Sequence, residues 1–400
     1  MPSQDDGCSD GDGCDAGRRH IVGIKAIKLL DKAVGAPLCY VLGLLKIPWA
    51  FRKPKRILVI QLWGIGETIL TLPALEELRR MYPEAKIEAL TTERNAGVYR
   101  DNPHVDRVHS IQTSIRGIMG FARKNVKAFN LVIDMEEYLN VSALIAYMVG
   151  MYRVGFSHGA RSMIYHRKVL YNDKQHVVQT FLDLVRSLGG AKNHDSLGKL
   201  KFSAADRRKA DALLRKNKVG KKDLVIGIAP GTAESAPCRM WPLERVAELA
   251  DHLIAQHEAK VLLVGTKAES GLVSQIVGKM EHKGGAVDLT GKVNLKELFC
   301  LVTRCRLFIG NDSGGMHVAA AQGVPTIGLF GPNLPQRFGP YGKGNVGIYK
   351  GEICEFSPCI NVHWGEVPDC LYPRASKDYQ KCMKNISVGE VISEAERMLK

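Results

Sequence analysis

The chain has 400 residues, of which 45% are hydrophobic and 24% are charged, and its formal net charge is +15. This composition excludes a largely disordered, collagen-like or coiled-coil chain, and the length suggests two or three domains. The mean hydropathy is -0.10, and no apolar run approaches the ~20 residues of a spanning helix, which excludes a multi-span membrane protein. The excess of Lys and Arg favours nucleic acid, an anionic membrane face or phosphorylated small molecules as partners.

The first 53 residues divide into two parts. Residues 1–20 are rich in Gly, Asp and Ser and are predicted to be disordered. They do not resemble a cleavable signal peptide, so we expect a cytoplasmic protein. Residues 21–53 combine a basic amphipathic helix, which Pro37 should interrupt, with the apolar stretch LCYVLGLLKIPWAF and the basic FRKPKR. This segment either lies in the interface of an anionic leaflet or packs as an extra helix on the protein's own core.

From Arg56 onward the pattern alternates between strand and helix. RILVIQL, KIEALT and NLVIDM are typical of buried parallel strands, and the intervening segments have helical spacing, which defines a first domain at 54–202. The charged helical segment 203–222 is predicted to be a linker. The alternation restarts at Asp223 with LVIGIAP, KVLLVGT, RLFIGND and PTIGLFG, which defines a second domain at 223–345. The series predicts an α/β fold of two doubly wound sheets facing a cleft, with the functional residues in loops after strands.

The remaining chain consists of an extension at 346–384 and a final helix at 385–400. Four cysteines of the extension are separated by four, ten and eleven residues, which is not a C-x-x-C pattern. They are Cys354, Cys359, Cys370 and Cys382. Zinc binding, a redox-sensitive pair and unlinked thiols are alternative interpretations, and we assign no metal ligands.

The first candidate site is the turn QLWGIGET. Gly64 and Gly66 permit a tight strand-to-helix turn and the close approach of a substrate. Glu67 follows in the first turn of the helix, at the mouth of the cleft. It either stabilises the helix dipole or acts as a general base on a substrate hydroxyl. Ile69 replaces the third glycine of G-x-G-x-x-G, so the dinucleotide fingerprint is not satisfied.

The second candidate site is the run GNDSGGMHVAAAQG. Asp312 and Ser313 are good N-cap residue types, and Gly314 and Gly315 expose backbone N–H groups at the start of a helix. These groups and the helix dipole form an anion site suited to a diphosphate. His317 lies one turn inside the same helix end, where it could also be structural.

Two further loops are candidates for contacts with a phosphorylated ligand. In APGTAESAPCRMWP, the side chains of Thr232, Ser235 and Arg239 could hold phosphates through charge-assisted hydrogen bonds. The alternative is that Arg239 is an ordinary surface residue. In GTKAES, Glu269 could contact a ribose or a base, or could simply begin a solvated helix. The loop near Val293 would contact the same end of the ligand.

A basic segment of the first domain, RVGFSHGARSMIYHRK, contains Arg153, Arg161 and His166. If it faces the cleft, it would suit an acceptor that bears phosphate or carboxylate groups. The alternative is a solvated loop face.

Several of these stretches resemble glycosyltransferase family 9, the ADP-heptose:lipopolysaccharide heptosyltransferases. The similar stretches are RILVIQLWGIGETILTLPALEELRRMYPEAKIEALT, the basic middle segment, and GNDSGGMHVAAAQGVPTIGLFGPNLPQRFGPYG. They run in order from about Arg56 to Gly342. The resemblance implies a GT-B fold of two Rossmann-like domains, with the acceptor on the first and a nucleotide-sugar, ADP-heptose, on the second. It also implies inverting, metal-independent transfer to the lipopolysaccharide core, with no cofactor.

The resemblance also assigns roles to individual residues. The family's base is an Asp at the position of Glu67, its basic residue before Trp-Pro corresponds to Arg239, and its Asp-(Ser/Thr)-Gly-x-x-His run corresponds to Asp312, Ser313, Gly314 and His317. We therefore expect a peripheral enzyme on the inner face of the cytoplasmic membrane, acting on a lipid-linked anionic glycan. A different nucleotide-sugar donor and a non-catalytic anionic-glycolipid binding protein are the alternatives. Nucleic acid is not an expected partner, because no stretch interleaves aromatic and basic residues, and the oligomeric state is not predicted.

Overall fold

A computed structural model describes residues 29–233 and 236–400 of the chain. The predicted disordered segment 1–20, most of the predicted amphipathic helix and Ser235 lie outside the described residues.

The described residues form two six-stranded sheets in which every neighbouring pair of strands is parallel. The first sheet has the order β3-β2-β1-β4-β5-β6 and the second has the order β12-β11-β10-β7-β8-β9. The strands of the first sheet are β1 Arg56–Ile60, β2 Lys86–Thr91, β3 Arg107–Ser110, β4 Phe129–Asp134, β5 Gly150–Phe156 and β6 Arg167–Val169. Those of the second are β7 Val225–Ala229, β8 Lys260–Leu263, β9 Ala286–Asp288, β10 Leu307–Asn311, β11 Thr326–Phe330 and β12 Val346–Tyr349.

Helices cover both sheets. In the first half of the chain they are α1 Ala36–Leu44, α2 Ile65–Leu70, α3 Leu72–Met81, α4 Glu93–Tyr99, α5 Ile115–Lys124, α6 Asn140–Val149 and α7 Val177–Arg186. In the second half they are α8 Ala204–Lys216, α9 Leu243–His257, α10 Ser270–Lys279, α11 Leu295–Val302, α12 Gly314–Gln322, α13 Pro335–Phe338, α14 Lys381–Lys384 and α15 Val388–Leu399. The predicted α/β fold with two doubly wound sheets is confirmed.

The strand order fixes where a ligand can bind. In the first sheet the order reverses between β1 and β4, and in the second it reverses between β7 and β10. In doubly wound sheets, ligands bind beyond the carboxyl ends of the strands at such a switch point. The turn with Glu67 follows β1, the loop with Arg239 follows β7, and the run from Asp312 follows β10. The fold therefore places these predicted residues at the two switch points.

Two boundaries differ from the sequence-based prediction. Residues Val346–Tyr349 pair in parallel with β11, so the second sheet extends beyond residue 345, where the prediction ended the domain. The basic segment of the first domain begins inside β5, a strand that pairs with both β4 and β6. The start of this basic segment is therefore part of a sheet and not of a solvated loop. Residues 154–156 (VGF) include the β-branched and aromatic side chains that are typical of strands.

Pro37 does not interrupt the N-terminal helix, contrary to the prediction. Residues Asp31–Gly35 form a π-helical turn that leads directly into α1, and Pro37 is the second residue of α1. The π-helical turn changes the backbone hydrogen-bonding pattern just before the proline, which has no N–H to donate. Asp31 caps α6, since its carboxylate accepts hydrogen bonds from the backbone N–H groups of Asn140 (3.0 Å) and Val141 (2.8 Å). This helix is thus attached to the first sheet's domain along one face.

No helix in the described part of the chain is long and apolar enough to cross a membrane.

Candidate active site

The two halves of the chain meet where α2 and α12 begin. Gly66 of α2 lies against the second half of the chain, and a Cβ atom at this position would stand 2.7 Å from Cδ2 of His317 and 3.7 Å from Cα of Gly314. A side chain at this position would require the imidazole of His317 to move, whereas glycine leaves it in place. Gly66 and Gly314, one glycine from each predicted turn, therefore allow the two helix N-termini to approach each other across the cleft.

Glu67 lies at this junction. Its carboxylate folds back onto Gly64, whose φ of 75° is in the left-handed region that favours glycine. Burial raises the pKa of Glu67 above its ordinary value, while the positive charges of Arg239 and Arg94 oppose the shift and the negative charge of Asp312 adds to it. Since Arg239 and Asp312 belong to the second half, the carboxylate is within electrostatic range of the opposite wall of the cleft. A carboxyl group with a raised pKa is a better proton acceptor than an ordinary glutamate.

Arg239 is held in place by a short polar chain. Its Nη1 donates to Oδ2 of Asp312 at 3.2 Å, and the same oxygen accepts from Nδ2 of Asn333 at 3.0 Å. Nε of Arg239 is buried and has no hydrogen-bond partner among the described residues. Asp312 thus orients the guanidinium while leaving at least one donor for another group, as expected of a site for an anionic ligand.

The N-terminus of α12 also retains free donors. The side chain of Ser313 makes no capping hydrogen bond, so this predicted N-cap residue does not satisfy the first N–H groups of the helix. The amides of Gly314 and Gly315 belong to that first turn, where the helix dipole also favours an anion. The predicted anion site is thus adjacent to Arg239 through Asp312.

His317 is buried, with 3% of its surface exposed, and its Nδ1 has no hydrogen-bond partner in the described structure. Burial lowers its pKa to about 4, although the carboxylate of Asp312 opposes the shift. The imidazole is therefore neutral near pH 7 and packs against Gly66, so it is positioned at the base of the junction between the two halves.

The predicted nucleotide residues lie along the same edge of the second sheet. Oε2 of Glu269 accepts from the backbone N–H of Thr266 (2.6 Å) and from its hydroxyl (2.8 Å), which is a capping box, and its other oxygen lies against Gly231. The hydroxyl of Thr232 donates to the carbonyl oxygen of Ala236 at 3.3 Å. Glu269 is therefore a helix-capping residue that also borders the loop after β7.

Val293, the remaining predicted contact, is half-buried and packs against the core. It immediately precedes Asn294, whose side chain caps α11. Its position in the loop after β9 places it at the outer end of the sheet, away from the junction of α2 and α12.

The structure does not bring the predicted acceptor residues Arg153 and His166 to the cleft. Arg153 is buried in β5, and its guanidinium donates to the carbonyl oxygens of Ile164 (2.9 Å) and Gly150 (3.0 Å). Nε2 of His166 bonds the carbonyl of Ile47 at 2.8 Å, and its ring stacks on Tyr152. Both side chains are therefore committed to structural contacts, and the expectation that they meet an acceptor is not supported by their positions.

Arg161 is a buried structural residue in the described structure. Its Nη2 lies 2.9 Å from Oδ2 of Asp134, at the end of β4, and its Nε donates to the hydroxyl of Tyr165 at 2.9 Å. A buried guanidinium needs such a partner. Arg161 is therefore buried beneath the loop after β4 and is not exposed to a ligand, although its Nη1 has no hydrogen-bond partner among the described residues.

Sequence reasoning missed the residues that follow β4. Oε1 of Glu136 accepts from the backbone N–H groups of Leu62 (2.5 Å) and Trp63 (2.8 Å), which fixes the turn that carries Glu67. Glu137 is buried and accepts from the hydroxyl of Tyr171 at 2.5 Å. The signal was present in the sequence, because NLVIDMEEY places three carboxylates at the end of a predicted strand.

Glu137 is electrostatically coupled to Glu67. Burial raises the pKa of Glu137 to about 7, and the negative charge of Glu67 adds to the shift. The hydrogen bond from Tyr171 opposes it. Two buried carboxyl groups, those of Glu67 and Glu137, thus lie close enough on the first-domain side of the cleft for the charge of one to affect the protonation of the other.

The cysteines of the extension share a pocket with a residue of the second sheet's domain. Cys354, Cys359, Cys370 and Cys382 line it together with Cys238, and all five are free thiols. Among the described residues, the group that could hold a metal ion is His252, His257 and Glu396, with ligand atoms within 4.8 Å of one another. This group lies near the C-terminal end of α9, just before β8 begins. It is therefore at the amino ends of the strands, on the side of the second sheet opposite the cleft.

Two parallel Rossmann-like sheets whose switch points face each other define the GT-B class of glycosyltransferases. A family model described as "Glycosyltransferase family 9 (heptosyltransferase)" matches residues 122–361. The chain belongs to this family and is a glycosyltransferase, as the sequence resemblance predicted.

Individual relatives agree with this assignment. The chain is 24% identical over 304 residues to the lipopolysaccharide core heptosyltransferase OpsX of Haemophilus influenzae. The matched stretch covers 74% of this chain and 84% of the relative. It is similar to the crystal structure of a family 9 glycosyl transferase from Veillonella parvula, with a TM-score of 0.73, 27% identity, and coverage of 86% of this chain and 97% of that one. The fold is also that of Escherichia coli heptosyltransferase WaaC with ADP-2-deoxy-2-fluoro heptose (TM-score 0.62, 20% identity, 86% and 99% coverage).

Proposed function

We propose that this glycosyltransferase moves a heptose from ADP-heptose to a phosphorylated, lipid-linked lipopolysaccharide-core acceptor, with inversion at the anomeric carbon. The observation that carries the proposal is the position of Glu67, which faces Arg239 and the open N-terminus of α12 across the junction. The name of the Haemophilus relative and the ADP-heptose analogue bound by the Escherichia coli enzyme support the choice of sugar and nucleotide.

Inversion requires one in-line displacement at the anomeric carbon. In this mechanism the acceptor hydroxyl forms the new C–O bond, and Glu67 takes its proton as the bond forms. The bond from the anomeric carbon to the diphosphate breaks, and ADP departs with the electron pair. Arg239 and the amides of Gly314 and Gly315 stabilise the charge on the leaving diphosphate. These fixed positive groups perform the task that a metal ion has in other transferases, so the mechanism needs no metal or other cofactor.

The remaining predicted residues have supporting roles in this mechanism. Asp312 orients Arg239, and neutral His317 fills the junction beside Gly66 without adding a charge near Glu67. Thr232, Glu269 and Val293 border the edge of the second sheet on which the nucleoside would lie. The sugar and the nucleotide base would thus lie on the second domain and the acceptor on the first, where Gly64 and Gly66 allow close approach.

The donor is tested with a panel of ADP, UDP and GDP. At equal concentrations the nucleotide with the lowest Kd stabilises the protein most, by roughly 2.7 kcal/mol at ~100 times its Kd. We therefore expect ADP to raise the melting temperature most. Mass spectrometry of a core oligosaccharide incubated with ADP-heptose should then show transfer. A larger shift with UDP or GDP would identify a different nucleotide-sugar, and binding without transfer or donor hydrolysis would identify a non-catalytic protein.

The N-terminal segment supports a location on the inner face of the cytoplasmic membrane. In the described structure, eleven of the eighteen exposed large hydrophobic side chains lie between residues 29 and 51, including Leu44 (81% exposed) and Leu45 (64% exposed). The opposite face of the same helix is anchored by Cys39, which is fully buried beside Ala143. Exposed Arg52, Lys53 and Lys55 follow this apolar surface, a combination typical of binding to an anionic leaflet.

Membrane binding is tested with the double substitution Leu44→Asp/Leu45→Asp. We expect affinity for vesicles of phosphatidylglycerol and phosphatidylethanolamine to fall at least tenfold, because each buried leucine contributes roughly 1.5–3 kcal/mol. Co-sedimentation measures the change. Ile115→Asp, at a similarly exposed site elsewhere (75% exposed), is the control and should bind as the unaltered protein does. Equal binding by all three proteins would contradict a membrane role for this surface.

A further inference from the structure

A small hairpin of the extension, residues 361–366, lies at the edge of the cleft. The backbone N–H of Asn361 donates to the carbonyl of Glu366 at 2.8 Å, and the reverse hydrogen bond is 3.1 Å long. Its tip contains a 3₁₀ turn at Val362–Trp364 and ends at Gly365, with φ of 72°. The tip lies just beyond residues 122–361, which the family model matches, and the mechanism above assigns it no role.

The base of the hairpin is anchored on the second domain. Ile360 is buried in a small cluster with Ala236 and Cys238. The thiol of Cys238 also donates to the carbonyl of Pro368 at 3.6 Å. These anchoring residues immediately precede Arg239 in the loop after β7. The hairpin is therefore attached next to the proposed diphosphate site.

The tip of the hairpin contacts the first domain. The ring of His363 stacks on Tyr171, with centroids 4.5 Å apart and an angle of 9°, and Trp364 lies edge-on to His158 at 5.4 Å. Gly365 lies against the ring of Tyr138, where a Cβ would be 2.9 Å from Cδ2. The hairpin thus bridges the two sides of the cleft.

These first-domain partners connect the hairpin to residues near the proposed base. Tyr171 donates to the carboxylate of Glu137, and Nε2 of His158 bonds the backbone carbonyl of the same residue at 2.5 Å. Both Glu137 and Tyr138 lie close enough to Glu67 for its charge to raise their pKa values. A group bound on the hairpin tip would therefore be on the acceptor side of the reaction centre.

The exposure of the tip is uneven. His363 is buried, at 6%, and its Nδ1 lies 3.3 Å from Nη2 of Arg337, whereas Trp364 is 59% exposed. A large aromatic ring that contacts the rings of His158 and His363 yet is open to solvent at the edge of a cleft is typical of a recognition surface. The exposed carboxylate of Glu366 follows it in the hairpin and could accept hydrogen bonds from hydroxyl groups.

We propose that Trp364 is a stacking platform for a neutral pyranose ring of the acceptor, held in place by His363 and the hairpin. This inference rests on the proposed function, because it is the acceptor sugar that must approach Glu67. The C–H face of a pyranose suits the apolar ring. An acceptor phosphate does not suit this position, because Asp173 and Glu366 are the acidic groups that influence His363, and the guanidinium of Arg337 is buried.

The test compares Trp364→Ala and Trp364→Phe in the full chain, with a delipidated core oligosaccharide from heptose-deficient lipopolysaccharide as acceptor. We expect Trp364→Ala to raise the KM for the oligosaccharide about tenfold, while kcat at saturation and the Kd for ADP stay within twofold and the melting temperature does not change. Trp364→Phe should restore the KM to within about threefold. Leu371→Ala, at another exposed apolar site of the extension (52% exposed), should leave the KM unchanged.

An unchanged KM in Trp364→Ala, or an equal loss of ADP binding, would overturn the proposal. If the unaltered protein transfers no heptose to the oligosaccharide, the proposed function fails instead, and the platform is then judged by tryptophan fluorescence. Quenching by the oligosaccharide that is present in the unaltered protein and absent in Trp364→Phe supports the platform. The absence of quenching in both proteins refutes it.

Discussion

Glu67→Gln is expected to lower kcat for heptosyl transfer by about 10²- to 10⁴-fold, the contribution of general acid–base catalysis in many enzymes. The amide retains the size of the side chain and its position over Gly64, but it cannot accept the proton of the acceptor hydroxyl. The Kd for ADP should change little, because the nucleotide lies on the opposite domain. Steady-state transfer assays and ADP titrations measure the two quantities separately. Near-normal kcat in a folded Glu67→Gln variant would refute the role of this residue as the base.

The same residue determines the expected pH dependence. Burial raises the pKa of Glu67 above its ordinary value of 4.5, and the reaction needs its anion. The rate should therefore fall as the pH is lowered, and this fall should begin at a higher pH than it would with a glutamate of ordinary pKa as the base. Asp at this position retains a carboxylate with a shorter reach, so Glu67→Asp should lie between the unaltered enzyme and Glu67→Gln.

Glu137→Gln is the matched control for the pH profile. The amide can still accept the hydrogen bond from Tyr171, but it cannot titrate as the carboxyl group of Glu137 does, whose pKa burial and the charge of Glu67 raise to about 7. We expect kcat at pH 8 to be retained within a few-fold and the acidic limb to stay in place, because burial and the charge of Asp312, which raise the pKa of Glu67, are unchanged in this variant. If Glu137→Gln abolishes the rate while Glu67→Gln does not, the two carboxylates have the reverse roles.

The sequence was sufficient to predict two doubly wound sheets and seven of their twelve strands. Buried parallel strands are long apolar runs, and glycine-rich turns after them are local signals, so the positions of Gly66, Glu67, Gly314 and Arg239 followed from short segments. The contact between Gly66 and His317 could not be predicted from short segments. It joins residues about 250 positions apart, and only the packing of α2 on α12 reveals it.

The errors came from residues whose partners are distant in sequence. Arg153 and Arg161 were predicted to bind the acceptor because they are cationic, yet both are buried, and their guanidinium groups bond to the carbonyl oxygen of Ile164 and to Asp134, respectively. A charge pattern cannot distinguish a solvent-facing guanidinium from one that is paired in the interior. Similarly, nothing local to Trp364 indicates that its hairpin crosses from one domain to the other, because that contact depends on the whole extension.

Arg239→Ala is the second substitution with a large expected effect, a reduction of kcat by about 10²- to 10³-fold, comparable to the loss of one preorganised donor in other enzymes. The guanidinium is fixed by Asp312 and has an unpaired Nε, so its donors are oriented before the donor substrate binds. They contribute most when charge accumulates on the departing diphosphate, and for that reason kcat should fall more than the affinity for ADP-heptose.

Arg239→Lys separates charge from geometry. Lysine retains the positive charge but not the planar fork, so we expect a partial loss, with kcat between those of the alanine variant and the unaltered enzyme. Arg208→Ala, at an exposed position on α8, controls for the loss of a surface cation and should leave kcat unchanged. If Arg239→Ala raises only the KM for ADP-heptose, then Arg239 binds the ground state and the transition state equally, and leaving-group stabilisation must come from the amides of α12.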